Sequence, residues 1–216
     1  PEVELAGMGC VVPTDGIAGN NVFSPDRQKE LFNVADFYSV DDNYLAILGI
    51  PVTDGLPFSS KNSSVGNMVI SRKGAELLKI NNRWTDGVIG KQIEISEHRL
   101  VNIQGVFPDF VIGSFSSPDF RPSVFFYLPE EKFAEQKISK PSFSFNILVK
   151  IHDGNYPGIL SKLTTIFNNA MPHPDAEVYN LADVRQKGYS REKGFRNSMM
   201  AGNIIILLIT GIGLLG

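Results

Sequence analysis

The sequence predicts an α+β fold of two small lobes, followed by a helix that leads into a membrane. Three observations predict it. Apolar residues recur with a period of two in several short segments, which is typical of half-buried strands. Other segments carry apolar residues at helical spacing between cap residues and Gly or Pro stops. Strands and helices are mixed along the chain in an order that favours an α+β arrangement.

Length and composition set the limits of this fold. The chain has 216 residues, a formal net charge of −3, 43% hydrophobic residues and a mean hydropathy of −0.02. This length corresponds to one domain or two small ones, and it is enough to bury a core without disulfides. The composition excludes collagen, coiled-coil, disordered and disulfide-scaffold classes. Because the chain is slightly acidic, it also argues against binding to nucleic acid.

The first 130 residues alternate between apolar segments and turns. Asp41 and Asp42 are good N-cap residues for a short helix that Gly49 ends. Ser71 is the expected cap of a second helix, which carries Leu77 and Leu78. Loop is predicted at 13–20, and a polar tip at 61–66. The predicted strands are 2–12, 31–40, 68–70, 123–128 and a hairpin formed by 92–96 and 100–106.

The last third of the soluble part predicts strand, helix, strand and helix. The clearest strand is 142–151, where one face has a period of two. That face carries Phe143, Phe145, Ile147, Val149 and Ile151. Asp153 or Asn155 then caps a helix with Pro157 near its first turn. The apolar stripe of this helix contains Ile159, Leu160, Leu163, Ile166 and Phe167. A returning strand is predicted at 176–179, and the chain is helical again from Ala182.

Residues 199–216 form an apolar run without a charged residue. A membrane span needs about 20 such residues to cross the hydrocarbon core, so the run predicts a transmembrane helix cut by the end of the chain. A buried core helix is the alternative. Five basic residues precede it, which is typical of a cytoplasmic flank, although this rule is weak for large domains. They are Arg185, Lys187, Arg191, Lys193 and Arg196.

Nucleotide motifs in the chain are incomplete. Residues 211–216 match the glycine pattern of a dinucleotide site, but they lie in the apolar run instead of between a strand and a helix. Residues 87–92 (GVIGKQ) have neither the glycine spacing of a phosphate loop nor the Ser or Thr that would hold magnesium. We expect a turn at 87–92, and no cofactor.

Catalytic and metal-binding patterns are also absent from the sequence. The histidines, His98, His152 and His173, adjoin predicted turns and have no second ligand at i,i+4. Cys10 is expected to be a small buried residue. The adjacent acids Asp41 and Asp42, like Glu130 and Glu131, would point apart on a strand and make poor acid–base pairs. Asn62 begins a glycosylation sequon, which has meaning only in a eukaryotic host. We therefore predict no catalytic, cofactor-binding or metal-binding residues and no enzyme activity in this chain.

Several segments, taken in order, resemble the MacB-like periplasmic core domain family. Residues 40–45 (VDDNYL) and 48–50 (LGI), with Gly55 and Phe58, are similar to one family stretch. Further similarities lie in 68–71 (MVIS) with the helix after it, 88–93 (VIGKQI) and 103–110 (IQGVFPDF). The Arg that usually precedes Phe in this stretch is replaced, because Gly55-Leu56-Pro57-Phe58 stands there. The terminal apolar run resembles the start of FtsX-like permease helices, so the resemblance spans about residues 30–216.

The resemblance implies a fold and a function. It implies a core domain at 1–185, with a porter-like lobe of about 1–58 and 131–185 and an inserted outer lobe of about 59–130. A helix at 186–216 would lead into the membrane. The host would be an ABC transporter permease in the bacterial inner membrane, with this domain on the periplasmic side. The basic flank contradicts that orientation, and we follow the ordered motifs.

The same resemblance implies partners and a mode of action. The partners would be an ABC ATPase on a separate subunit or domain, a second permease copy, and a periplasmic adaptor or outer-membrane protein. ATP hydrolysis would be coupled to changes in the domain and to efflux or substrate handling. The alternatives are a membrane-anchored lipid or lipoprotein binding module, a division-type permease regulating a cell-wall hydrolase, and a tethered hydrolase. The cargo, its direction, the number of spans and the role of residues 1–30 are not predicted.

Overall fold

The computed structural model describes residues 2–10, 19–95, 99–110, 112–114, 117–119, 121–140, 144–152, 156–170, 178–183, 186, 190, 193–194 and 196–200. The chain divides into two compact units, residues 1–113 with 118–152 and residues 114–117 with 153–216. The elements in chain order are β1 (Val3–Gly9), β2 (Asn20–Phe23), β3 (Glu30–Val40), α1 (Tyr44–Ile47), β4 (Asp54–Gly55), β5 (Asn67–Ser71), α2 (Arg72–Asn82), β6 (Gln92–Ile95), β7 (Arg99–Phe107), β8 (Ile112–Ser114), β9 (Ser117–Asp119), β10 (Ser123–Tyr127), α3 (Glu130–Ser139), β11 (Asn146–Ile151) and α4 (Tyr156–Ala170).

One mixed sheet of nine strands organises the first unit. Its order is β10-β5-β7-β6-β2-β3-β1-β11, with β4 attached to β7. Strand β10 also pairs with β3, in parallel. This second pairing closes β3, β10, β5, β7, β6 and β2 into a ring. Strands β8 and β9 form a separate two-stranded sheet.

Two strands at the centre of the sheet are buried on both faces. In β10, Val124 and Phe126 belong to one core cluster, whereas Phe125 and Tyr127 belong to the other. Successive side chains of a strand point to opposite faces, so a strand buried on both sides has a continuous apolar sequence. The runs 124–127 (VFFY) and 68–70 (MVI) show this pattern.

Helix α2 covers the first core cluster and aromatic rings fill the second. The first cluster has members from all six strands of the ring, with Ala75 and Leu78 from α2. In the second, the rings of Tyr38 and Phe125 stack with their centroids 4.9 Å apart. Phe107 meets Phe125 edge-on at 5.2 Å. Burying one large apolar side chain stabilises the folded state by about 2–3 kcal/mol. The two clusters can therefore hold the unit together without disulfides.

The α+β prediction is confirmed, and most elements lie where the sequence predicts them. The Ser71 hydroxyl accepts a hydrogen bond from the Gly74 amide, as expected of a cap. The predicted hairpin is formed by β6 and β7. Strands of both predicted lobes join the nine-stranded sheet, so the sheet does not separate the lobes. The two-lobed arrangement stays a prediction.

The sequence missed helix α3 and the short strands β2, β4, β8 and β9. Helix α3 begins after Pro129, with Glu130 and Glu131 in its first turn. Acidic side chains are favoured there because they are attracted to the positive end of the helix dipole. These two residues therefore belong to a helix and not to the strand assumed for them. Strand β4 is only two residues long and carries no periodicity.

Strand β11 is shorter than the predicted strand 142–151 and begins at Asn146. Its partner β1 ends at Gly9, opposite Asn146, so the ladder has no further residues to pair. Phe145 lies before the strand and packs its ring against Phe133, with centroids 5.5 Å apart. The predicted buried face is wrong at Ile147, which is 46% exposed. Phe143 lies outside the described residues.

The second unit contains α4, described here by itself. Its bounds agree with the predicted helix, and Ile159 is buried. Ile166, predicted in the apolar stripe, is 63% exposed. Val178 and Tyr179 lie in no strand, unlike the prediction for 176–179, whose first two residues lie outside the described ones. From residue 181 onward every described residue is helical, which agrees with the helix predicted from Ala182.

Among the described residues, no helix has both the length and the apolar character needed to cross a bilayer. The predicted transmembrane run 199–216 overlaps them only at Met199 and Met200, and both are more than half exposed. The remainder of that run, 201–216, lies outside the described residues, as do His98, His173, Arg185, Lys187 and Arg191.

Candidate functional site

Among the described residues that the sequence singled out for chemistry, Cys10 follows β1, His152 follows β11 and Lys91 precedes β6. Cys10 is half-buried, and burial raises the pKa of its thiol. His152 is exposed at the end of β11. Lys91, from the incomplete phosphate loop, forms an exposed ion pair with Asp86 at 2.8 Å. In the described part of the chain, no group of three or more His, Cys, Asp or Glu could hold a metal ion.

Asp41, in contrast, has a defined role at the junction of β1 and α1. One oxygen of its buried carboxylate accepts hydrogen bonds from the amides of Tyr44 at 2.9 Å and Asn43 at 3.1 Å. The other accepts from the amide of Met8 at 2.7 Å. Asp41 therefore binds the first amides of α1, although the N-cap residue is Asn43 and not the predicted Asp41 or Asp42. The same side chain also ties α1 to β1. Burial raises the pKa of this carboxyl group, although the three amides partly oppose the rise.

Two glycines of β1 make this junction possible. A Cβ on Gly9 would lie 2.3 Å from the Tyr44 ring. A Cβ on Gly7 would lie 2.9 Å from the Asp41 carboxylate and 3.0 Å from the Tyr44 amide. Real Cβ atoms do not approach so closely, so β1 needs glycine at both positions for α1 to pack against it.

A second junction joins β4 to β7 through a pair of glycines. Gly55 lies opposite Gly105 in the antiparallel ladder. Gly55 has a positive φ of 78°, and a Cβ there would lie 2.3 Å from the carbonyl oxygen of Gln104. A Cβ on Gly105 would lie 2.6 Å from Val52. Both glycines belong to the family-like segments of the sequence. Close backbone contact, and not chemistry, therefore explains why glycine stands at these two positions.

Next to these glycines, Gln104 anchors the polar tip. Its side chain is buried, and its amide nitrogen donates to the Pro57 carbonyl at 2.9 Å. Its amide oxygen accepts from the Ser63 hydroxyl at 2.9 Å. A buried polar side chain that is hydrogen-bonded on both atoms fixes the conformation of the loop it holds. The sequence signal for this contact was a polar residue inside the apolar run 103–107.

Replacing Gln104 with Ala is expected to loosen the polar tip. The variant leaves the Pro57 carbonyl and the Ser63 hydroxyl without the side chain that binds them, which costs about 2 kcal/mol locally. Trypsin should therefore cleave after the exposed Lys61 about 30-fold faster than in wild type. Gln92→Ala, which removes an exposed glutamine, is the control. Equal cleavage rates in the two variants would contradict the anchoring role.

The start of α2 borders a small cleft. Its volume is about 160 Å³, and it is lined by Ser71, Lys73, Asp109, Phe110, Arg121 and Ser123. The amide of Lys73 donates to the Asp109 carboxylate at 2.9 Å, so Asp109 caps α2 together with Ser71. The Ser123 amide donates to the Ser71 hydroxyl at 3.1 Å. Ser71 and Asp109 thus bind amides at the end of α2, and none of the residues that line the cleft is a His or Cys.

An ion pair between the partly exposed Arg121 and a buried carboxylate stands beside this cleft. A side-chain nitrogen of Arg121 lies 3.1 Å from the carboxylate of Asp36, which is fully buried in β3. Sequence reasoning missed Asp36, although an acid within the β-rich run 31–40 was a signal. Because Asp36 lies opposite Ser123 in the ladder, the ion pair strengthens the parallel contact between β3 and β10.

This architecture has counterparts among solved structures. The periplasmic region of MacB from Actinobacillus actinomycetemcomitans is similar over 86% of this chain and 76% of its own, with a TM-score of 0.58 and 18% identity. The extracellular domain of the noncanonic ABC-type transporter YknZ from Gram-positive bacteria is similar over 83% of this chain and 82% of its own. Its TM-score is 0.54 and its identity 17%. These likenesses show the fold. A comparison with curated protein sequences finds no match.

The family follows from a match at the level of sequence. The model of the MacB-like periplasmic core domain family matches residues 7–162, which is well over half of the chain. The chain therefore belongs to that family, as the ordered motifs predicted. The matched region begins at residue 7 and ends at 162, whereas the predicted resemblance spans about residues 30–216.

Proposed function

We propose that this chain is the extracytoplasmic part of an ABC transporter permease in the bacterial inner membrane. It is a non-catalytic domain that couples ATP hydrolysis by a cytoplasmic ABC ATPase to efflux or handling of substrate on the periplasmic side. The match of residues 7–162 to the MacB-like periplasmic core domain carries the proposal. The solved structures of similar fold come from the transporters MacB and YknZ, which supports it.

The proposed working unit contains more than this chain. A second permease copy, the ATPase and a periplasmic adaptor or outer-membrane protein complete it. Within the chain, residues 1–58 with 131–185 form a porter-like lobe, and 59–130 form an outer lobe. The helix at 186–216 continues into the membrane. Asp41 and Asp109 bind helix ends and so stabilise the fold, which fits a domain that transmits movement instead of catalysing a reaction.

A stiff connection to the membrane is the physical requirement of this function. Residues 196–200 are helical, and the Ser198 hydroxyl donates to the Gly194 carbonyl at 3.0 Å. A continuous helix transmits rotation and translation, whereas a flexible chain absorbs them. Breaking the helix between Asn197 and Ser198 should therefore uncouple the domain without unfolding it.

The test inserts seven residues at that point in the full-length permease, purified with its ATPase in nanodiscs. Seven alanines add about two helical turns and keep the helix, whereas seven glycines interrupt it. Hydrogen exchange of residues 19–152 is measured with and without ATP. We expect ATP to change exchange in wild type and in the alanine variant, and to leave the glycine variant unchanged while ATP hydrolysis continues. The coupling role would be refuted if ATP did not change exchange in wild type, or if it changed exchange in the glycine variant as much as in wild type.

A further inference from the structure

The six-stranded ring is closed by contacts of very unequal length. Between β3 and β10, residues 36–40 lie opposite 123–127 along the whole of β10. Strands β2 and β6, by contrast, meet at one residue pair in the described part of the chain, Phe23 opposite Glu94. Ladder hydrogen bonds are what hold neighbouring strands together. The β2–β6 contact is therefore the weakest link in the ring.

One side chain crosses this weak contact. The Nε atom of Arg27 lies 3.0 Å from the carboxylate of Glu94. The Arg27 guanidinium also lies over the ring of Phe23, 5.0 Å from its centroid. Arg27 thus binds both members of the residue pair at which β2 meets β6. The Glu94 side chain is only 7% exposed, so the ion pair is sheltered from water on the side of the carboxylate.

The turn between β2 and β3 holds Arg27 in this position. The backbone of Arg27 has a positive φ of 57°, which is rare for a residue other than glycine. The Arg27 amide donates to the Ser24 carbonyl at 2.8 Å, and the Ser24 amide donates to the Lys29 carbonyl at 2.8 Å. These bonds stabilise a tight turn that directs the side chain back over Phe23. A strained residue kept in place by its surroundings is typical of a functional contact.

We propose that the β2–β6 contact is the point at which the ring opens, and that the Arg27–Glu94 ion pair is the latch that holds it closed. Opening separates the β2–β3 hairpin from the β6–β7 hairpin, while the long β3–β10 contact stays intact. The two hairpins belong to the segments 1–58 and 59–130. The latch itself follows from the pairing of the strands, and only its use in coupling to ATP rests on the proposed function.

Hydrogen exchange tests the latch in the full-length protein that carries this chain, in nanodiscs without nucleotide. In wild type, amides of 20–23 and 92–95 should exchange faster than those of β5 and β10, since local opening exposes the weakest contact first. In Arg27→Ala, exchange at these two segments should become about tenfold faster, while β5 and β10 remain at the wild-type rate. Lys91→Ala, which breaks the exposed pair with Asp86 just before β6, should leave both segments unchanged.

Two further variants keep the proposal open to refutation if Arg27→Ala folds poorly. Glu94→Gln keeps the shape of the side chain and removes its charge, and Arg27→Lys keeps the charge without the planar guanidinium. Both should accelerate exchange at 20–23 and 92–95, but by less than Arg27→Ala does. The proposal is overturned if wild-type exchange is uniform around the ring. It is equally overturned if the Arg27 and Glu94 variants match Lys91→Ala, or if they accelerate β5 and β10 to the same extent.

These outcomes are independent of the transporter assignment. Exchange without nucleotide reports the latch alone, and the same measurement with ATP reports its use. Suppose that exchange at 20–23 and 92–95 accelerates in Arg27→Ala but does not respond to ATP in wild type. This result would support the latch and contradict the proposed coupling. Uniform exchange around the ring together with an ATP response elsewhere in 19–152 would do the reverse.

Discussion

Replacing Gly55 with Ala is expected to lower the free energy of unfolding by about 3 kcal/mol. About 1 kcal/mol of this comes from placing a side chain at a positive φ. The remainder, about 2 kcal/mol, comes from the clash of the new Cβ with the backbone, which must move β4 away from β7. The carbonyl oxygen of Gln104 would stand 2.3 Å from that Cβ. Because this oxygen belongs to a buried strand, a rotamer change cannot relieve the contact.

Gly49→Ala is the matched control for this variant. Gly49 also has a positive φ, 69°, but a Cβ there would meet nothing within 4 Å. The control therefore carries only the conformational cost, about 1 kcal/mol. Urea unfolding followed by the fluorescence of Trp84, the single tryptophan, measures both. If the two variants lose equal stability, close approach of β4 and β7 is not the reason for glycine at residue 55.

The elements that could be predicted from the sequence are those set by neighbouring residues. Ser71 as a cap, Gly49 as a helix end and the hairpin of β6 and β7 each depend on signals within about ten residues of one another. The continuous run 124–127 was also recognisable as a strand. Its burial on both faces was not, because that requires knowing which layers lie above and below the sheet.

The contacts that could not be predicted join distant parts of the chain. Strand β10 pairs with β3 although 82 residues separate the end of one from the start of the other. No local pattern indicates that parallel partner, so the closed ring could not be foreseen. Asp36, Gln104 and Asp109 were missed for the same reason. Each is a polar residue in or beside an apolar segment, and its partner lies at least 36 residues away.

The family-like motifs gave the right family but suggested no role for their residues. In the structure these residues meet at two junctions. Asp41 and Tyr44 meet Gly7 and Gly9 where α1 packs on β1, while Gly55 meets Gly105 where β4 packs on β7. The motifs therefore describe backbone geometry. This agrees with a domain whose proposed task is mechanical, because such a domain depends on the stiffness of its junctions.

Replacing Asp41 with Ala is expected to cost about 3 kcal/mol of unfolding free energy, because three amides lose their acceptor. The Tyr44 amide is buried and cannot turn to water. Asp42→Ala is the control, since the Asp42 carboxylate accepts a hydrogen bond at 3.3 Å from the amide of Ser60, which is exposed. It should lose no more than about 0.5 kcal/mol. Similar losses in both variants would contradict the junction role of Asp41.

The pH dependence of the same junction provides a second measurement. Burial raises the pKa of the Asp41 carboxyl above its value in the unfolded chain. The folded state therefore binds this proton more tightly, and the resulting stability is fully present below the unfolded pKa and is lost as the pH rises through the folded pKa. Asp41→Asn removes the ionisation and keeps the size of the side chain. The unfolding free energy of wild type minus that of Asp41→Asn should thus increase as the pH falls from about 7 to about 4. A difference that stays flat or decreases over this range would mean that the three amides, and not burial, dominate the charge state of Asp41.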